Sequence, residues 1–392
     1  MAKPKVFEKP TGVKDYLPEA VAKLRTIERN VLDCMERWGY RQIMTPTLEY
    51  YDTVGVASST SDEKLFKLLD KKGTTVVLRS DMTAPIARVV ASLLKDHPLP
   101  LRLSYHSNVF RAFEDEAGRE AEFFQTGGEL VGDATADGDA EVVALAIAAL
   151  KAAGVQSFKI AIGHVGFLHG LFEEALPDRP DAQDALKDRL LQRDHVGFRN
   201  ALRRFSLSEF DRDRLESVLR LRGGREICER AERIAEHEKA RDAVRHLREV
   251  WDALCDYGVS GHVLLDLTVI GDFSYYTGMT FEGYAADLGF PVCNGGRYDN
   301  LLRQFGRPAA ATGFALKTNR ILELVGEPTA LPPRRVLVAY SARRRTEALR
   351  HAADMRSRGG TVVVTQRVDR DPNFGAAGCA ASLGYDDVIE FL

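Results

Sequence analysis

Apolar residues Leu24, Ile27, Val31 and Cys34 recur three or four positions apart between Glu19 and Trp38. That spacing predicts an amphipathic helix with one buried face. Gly39 follows where such a helix stops. Tyr40 to Leu48 alternates enough to predict a strand, and Pro46 within it confines that strand to an edge or an interface. A short strand over 74–79 and a helix from Asp81 to Leu94 come next. Residues 101–110 and 122–131 read as paired antiparallel strands, joined by the polar stretch Arg111 to Ala121. A long helix from Asp137 to Ala153 and the strand SFKIAIG complete this half. From about Val165 to Val259 the pattern turns into charged amphipathic helices. Strands then return in VLLDLTV, YTGMTFEGYA and PVCNGGRYD, and a helix is predicted from Lys317 to Val325. The turn-rich EPTALPPRR separates this body from a short βαβαβ pattern. The expected fold class is α+β. An antiparallel sheet flanked by helices spans 1–325, with a helical insertion at about 165–260. A linker over 326–333 leads to a small α/β domain over 334–392.

Charge adds a restriction. Lys and Arg total 54 against 57 Asp and Glu, a formal net charge of −3. Such a balance exerts no overall pull toward nucleic acid or membrane. The most apolar run, Ala140 to Gly154, is interrupted by charged residues and predicts a buried helix rather than a membrane span. The N-terminal residues lack the apolar core of a secretory leader, so a cytoplasmic location is expected. Cys34, Cys228, Cys255, Cys293 and Cys379 are widely spaced, which favours buried free thiols over a disulfide or metal set. His106, His164, His169 and His262 lack metal-ligand spacing, and neither a metal nor another cofactor is expected.

Six motifs then occur in order: PTGVKDYLP, GYRQIMTPTLEYYD, LRSDMTAPIAR, YHSNVFRAFEDEAGREAEFFQTGGELVG, SYYTGMTFEGY with CNGGRYDNLL, and GFALKTNRI. The set resembles the class II aminoacyl-tRNA synthetase core, specifically the histidyl-tRNA synthetase-like family, from about Pro10 to Leu324. Motif 1 carries Pro46 and builds the dimer interface in that family, so self-association through this region is implied. The resemblance also implies a histidine site. Asp81 and Thr83 match its acidic residue and threonine. Arg111, Gln125 and Glu129 match motif 2 positions, and Tyr275 and Tyr276 match the paired tyrosines. A carboxylate with amide and aromatic neighbours suits an ammonium and an imidazole. Blander roles stand beside these. Asp81 fits a helix cap, Gln125 and Glu129 a solvated strand face, and one of the adjacent tyrosines a core position.

Four departures from the family pattern bear on activity. Aligning the tyrosine pair places Gly271 where the family's catalytic arginine stands, and no Arg or Lys occurs from Asp266 to Tyr276. Losing a preorganised cation at a transferring phosphoryl group costs on the order of several kcal/mol of transition-state stabilisation. In motif 2, Phe113 replaces a glutamate that helps hold ATP, and Glu114, Asp115, Glu116 and Glu120 oppose an RNA acceptor end. In motif 3, Arg320 persists, but Lys317 replaces a small glycine beside the adenine position. Only about sixty residues follow Leu331, too few for the family's full anticodon-binding domain. Arg111 and Arg320 are expected as structural remnants, Gly295 and Gly296 as a tight backbone path, and Arg343, Arg344 and Arg345 as a solvated face.

The family includes a non-catalytic type of member with this profile, a regulatory subunit that partners the short-form ATP phosphoribosyltransferase catalytic subunit under histidine feedback. The resemblance implies that role here, with no tRNA bound. An active histidyl-tRNA synthetase and a ligase with another acceptor are the competing readings. The seat of histidine, in the old amino-acid pocket or at a subunit boundary, stays open on sequence alone.

Overall fold

In the computed structural model, residues 7–112, 120–271, 275–286, 288–326, 334–368 and 384–392 are described. They form two units, 1–326 and 327–392. The motif 2 loop residues Phe113, Glu114, Asp115 and Glu116, together with Cys379 and most of the linker over 326–333, lie outside the described residues.

The first unit begins with α1 (Pro18–Arg37), which buries Leu24, Ile27, Val31 and Cys34 on its predicted face. Gly39 ends it at φ +82°, donating its N–H to the Glu36 carbonyl. The single strand expected over 40–48 is instead two short ones, β1 (Arg41–Gln42) and β2 (Leu48–Tyr50), in different sheets. Between them the buried Arg79 guanidinium takes the Thr45 and Pro46 carbonyls, at 2.7 and 3.4 Å. Those acceptors are thus occupied, and Pro46 has no N–H to offer a ladder. β3 (Lys67–Leu69) and β4 (Thr75–Leu78) join β2 in a three-stranded sheet of order β2-β4-β3, followed by α2 (Thr83–Ser92).

The expected hairpin is present as β5 (Leu101–Phe110) and β6 (Glu122–Val131). Next come α3 (Ala136–Ala152) and β7 (Phe158–His164). The insertion contains α4 (Val165–Ala175), α5 (Pro180–Leu191), α6 (His195–Arg204), α7 (Glu209–Ser217), the two-residue β8 (Arg222–Gly223), α8 (Glu226–Glu232) and α9 (Glu238–Asp256). β9 (Val263–Asp266), β10 (Met279–Ala285), β11 (Pro291–Arg297), α10 (Leu301–Gln304), β12 (Ala311–Lys317) and α11 (Thr318–Leu324) close the unit.

Nine strands form the main sheet in the order β1-β5-β6-β12-β11-β10-β7-β9-β8. It is mixed rather than wholly antiparallel, because β1 runs parallel to β5 and β7 parallel to β9. Parallel neighbours need a long crossover, and the helical insertion supplies it between β7 and β9. α3 is buried along most of its length, from Gly138 to Leu150 apart from the half-buried Glu141 and Ala148, and covers one sheet face together with α1 and α9. Leu130, Phe314, Leu316, Met279 and Phe281 point into that layer. The alternate residues on the same strands face the other way, where the site lies.

The second unit is a parallel sheet of order β14-β13-β15, from β13 (Arg334–Tyr340), β14 (Thr361–Arg367) and β15 (Asp387–Phe391), with α12 (Arg345–Arg358) between β13 and β14. The second helix expected there falls on residues outside the described set. Arg343, Arg344 and Arg345 are exposed. Among the described residues no helix is long and apolar enough to cross a membrane, and no cluster of three or more His, Cys, Asp or Glu is placed to hold a metal. Cys34, Cys228 and Cys293 are buried free thiols, whereas Cys255 is exposed, against expectation. It sits near the end of α9, one residue after the last inward position, Leu254.

Candidate functional site

Strand register sets the floor of the site. Gln125, Gly127 and Glu129 on β6 stand opposite Lys317, Ala315 and Gly313 on β12. Asn294 and Gly296 on β11 continue the same face, and Thr280 and Glu282 on β10 extend it. The centre of this face is made of glycine and alanine, with longer polar side chains around it. The small residues leave room for larger side chains to lie over them: Tyr105 over Gly127, Tyr276 over Gly296 and the Glu129 carboxyl over Gly313.

Glu129 lies at the inner end and is 1% exposed. Thr83 donates its hydroxyl to Oε1 at 3.0 Å, and the Tyr298 hydroxyl donates to Oε2. A Cβ on Gly313 would overlap Oε2, so glycine at that position is what admits the carboxyl. Burial pushes the Glu129 carboxyl up to about 8; the two hydroxyls pull the other way and Asp81 adds to the rise. Near neutrality this group holds its proton.

Asp81 stands on the other side of Thr83. Its Oδ1 accepts the Ala84 N–H at 3.1 Å, and its Oδ2 accepts the Ser58 hydroxyl. The capping role and the pocket position therefore coexist, since Asp81 lies within electrostatic reach of Arg111, Glu129 and Tyr275. Arg111 donates from Nε to the Ser80 carbonyl at 2.9 Å and lies over the Phe123 ring. Burial lowers its pKa, against the pull of Asp81, Tyr276 and Tyr105. Gln125 is 4% exposed and so is not on a solvated face.

Tyr275 and Tyr276 meet edge to face at 5.1 Å, and Tyr275 also stacks on Tyr298 at 5.5 Å. Tyr275 bonds Thr83 and faces Asp81 and Glu129, while Tyr276 bonds Asn294. Neither is a remote core residue; they form two adjoining walls. The Tyr276 ring is seated between Gly271 and Gly296. A Cβ on Gly271 would lie 2.6 Å from Tyr276 Cδ2, and one on Gly296 2.8 Å from Cδ1. The position left uncharged by Gly271 is thus filled by a tyrosine ring. Gly295 also has the close backbone path expected of it: a Cβ there would lie 2.3 Å from the Gly313 carbonyl oxygen and 2.6 Å from Phe281 Cζ.

The nucleotide end differs. Arg320 donates to the Pro291 carbonyl at 2.7 Å and lies over Phe290. Asn319 bonds the Phe124 N–H at 2.7 Å and the Tyr16 hydroxyl at 2.6 Å, which commits motif 3 to structure.

Asp81, Thr83, Arg111, Glu129, Tyr275 and Tyr276 are therefore brought into one connected cluster, with Gln125 on its floor. Sequence reasoning missed Tyr298, Gly313, Ser58 and Asn294. Tyr298 and Gly313 lie inside the quoted GGRYD and GFA segments, which carried a signal without a role.

This sheet and pocket define a chain of the class II aminoacyl-tRNA synthetase type. The family profile described as "Histidyl-tRNA synthetase" matches residues 12–321. The ATP phosphoribosyltransferase regulatory subunit of Halalkalibacterium halodurans is 47% identical over 393 residues, spanning 99% of this chain and 97% of that protein. The Bacillus subtilis protein of the same name is 46% identical over 92% of this chain and 91% of its own length. A crystal structure titled an ATP phosphoribosyltransferase regulatory subunit/histidyl-tRNA synthetase from Bacillus halodurans superposes with a TM-score of 0.90 at 44% identity, covering 99% of each chain. Histidyl-tRNA synthetase from Nostoc, 19% identical with a TM-score of 0.79 over 97% of this chain and 90% of that one, shares the fold. The chain belongs to the histidyl-tRNA synthetase-like family of ATP phosphoribosyltransferase regulatory subunits, not to the aminoacylating enzymes.

Proposed function

We propose that this chain activates a short-form ATP phosphoribosyltransferase catalytic subunit and confers histidine feedback on it, with histidine held among Asp81, Thr83, Arg111, Gln125, Glu129, Tyr275 and Tyr276. One observation carries the reading. A buried, hydroxyl-bridged Glu129 persists in a pocket where Tyr276, packed on Gly271, fills the place of the activating cation. Amino-acid recognition is retained and phosphoryl chemistry is not. Histidine then acts by preferring one arrangement of the assembly, which requires different affinities for two states. The coupling is reciprocal, so substrates of the catalytic subunit weaken histidine binding.

The test is a rate assay of the short-form catalytic subunit with and without this chain. Addition is expected to raise the rate, and histidine to lower it again. No change in either measurement rejects the role.

Self-association through the motif 1 region belongs to the same proposal. Met44, Leu48, Tyr50 and Leu68 are exposed there, at 81%, 53%, 56% and 46%, and the register places Leu48, Tyr50 and Leu68 on one face of the small sheet. Apolar side chains gathered in one region favour a protein partner. Combining Leu48→Asp with Leu68→Asp is expected to convert the dimer to monomer in sedimentation analysis. An unchanged mass would remove this part of the proposal.

A further inference from the structure

Histidine offers three charged or polar ends, an ammonium, an imidazole and a carboxylate. The proposed pocket supplies Asp81 and Glu129 for the first two. Its one cation, Arg111, has Nε committed to the Ser80 carbonyl. A second cation stands on the same floor. Lys317 lies directly across from Gln125 in the β6–β12 register, two residues beyond Ala315 and four beyond Gly313, which faces Glu129. Its side chain is half-buried. Among the described residues its ammonium makes no hydrogen bond or ion pair.

The charged groups around Lys317 are Arg320 and Arg111, and on the far side Glu282. Glu282 is engaged by Arg193 and the Tyr284 hydroxyl. Three cations thus converge with no carboxylate committed to Lys317. Like charges held together in a partly dry site repel, and an anion bound among them relieves the repulsion.

We infer that Lys317 is the residue that binds the carboxylate of the amino-acid effector, taking over at a different point of the fold the charge that Gly271 lacks. The inference rests on the histidine reading of the pocket. It also gives the departure at motif 3 a purpose. A lysine where the family has a small glycine closes the space beside the adenine position and fills it with a charge suited to a compact oxyanion. Burial, with Arg320 and Arg111, pushes the Lys317 ammonium down to about 8, so it remains mostly charged at neutral pH.

Histidinol, which carries a hydroxymethyl group in place of the carboxylate, is the discriminating probe. Calorimetric titrations of the full chain with histidine and with histidinol give a preference ratio. The wild-type chain is expected to prefer histidine on the order of 10- to 100-fold, the range of a charge-assisted hydrogen bond. Lys317→Met and Lys317→Gln should cut that ratio to about threefold or less while leaving histidinol affinity nearly unchanged. Lys317→Arg should retain most of the preference. A purely structural lysine would not move this ratio. A wild-type ratio in both neutral variants overturns this inference alone. Failure of histidine itself to bind the wild-type chain overturns the pocket reading and this inference with it.

Discussion

Replacing Glu129 by alanine is expected to lower the proposed histidine binding by at least about 100-fold, the cost of removing a buried carboxyl that hydrogen-bonds a ligand. Glu129 is 1% exposed, and Thr83 and Tyr298 fix both of its oxygens. In Glu129→Ala those hydroxyls lose their acceptor, and the imidazole loses its partner. Glu129→Gln keeps the shape and exposes the electrostatic part separately. The pH profile follows from the same group. With its carboxyl raised to about 8, apo Glu129 is protonated at neutrality, and in the proposed complex it would share that one proton with a neutral imidazole. Below about pH 6.5 the free imidazole carries its own proton, and one must be shed on binding. Above about 8 the carboxylate has lost its proton and one must be taken up; Lys317 loses charge over the same range. Affinity should therefore peak between these limits in calorimetric titrations across pH. A flat profile from pH 5 to 9 would contradict the assignment. Folding stability carries the matching sign. The folded state holds a proton that the unfolded carboxyl releases from about 4.5 upward, so this group favours the fold at low pH and the contribution is lost as pH rises through about 8.

Gly271→Arg is expected to destabilise the chain and to restore no amino-acid activation. Gly271 sits at φ +53°, a left-handed conformation, and its Cβ position is 2.6 Å from the Tyr276 ring. The backbone term is about 1–2 kcal/mol and the overpacking about 1–3 kcal/mol, so ~2–5 kcal/mol in a denaturant melt is the expected range. Relief requires Tyr276 to leave its seat between Gly271 and Gly296, which breaks the wall of the proposed histidine pocket. The lost arginine is thus not a vacancy that one substitution refills. Wild-type stability in Gly271→Arg would show that the ring yields freely.

How far the sequence revealed this depended on the range of each signal. α1 and α3 were legible because their apolar spacing is local and strong. The β5–β6 hairpin was legible because two long runs flank a polar connection. The strand expected over 40–48 was not, because the guanidinium that divides it belongs to Arg79, more than thirty residues away. β12 escaped notice because ATGFALK mixes glycine, threonine and alanine, and Lys317 was read as the start of a helix. The pocket residues were legible through the ordered motifs, not through any local property. Their supports were hidden for a physical reason. Tyr298 reaches Glu129 across 169 residues of chain, and Gly313 matters only because the register places it opposite that carboxyl. Strand register is a tertiary outcome, and no period along the chain encodes it.

Histidine-dependent ATP–pyrophosphate exchange by the purified chain tests most directly whether the amino acid is bound without being activated. At histidine concentrations that raise the melting temperature of the chain, the expected exchange is no greater than in the absence of histidine. Sustained exchange that saturates with histidine would show that the fold still forms an adenylate, and would contradict the account.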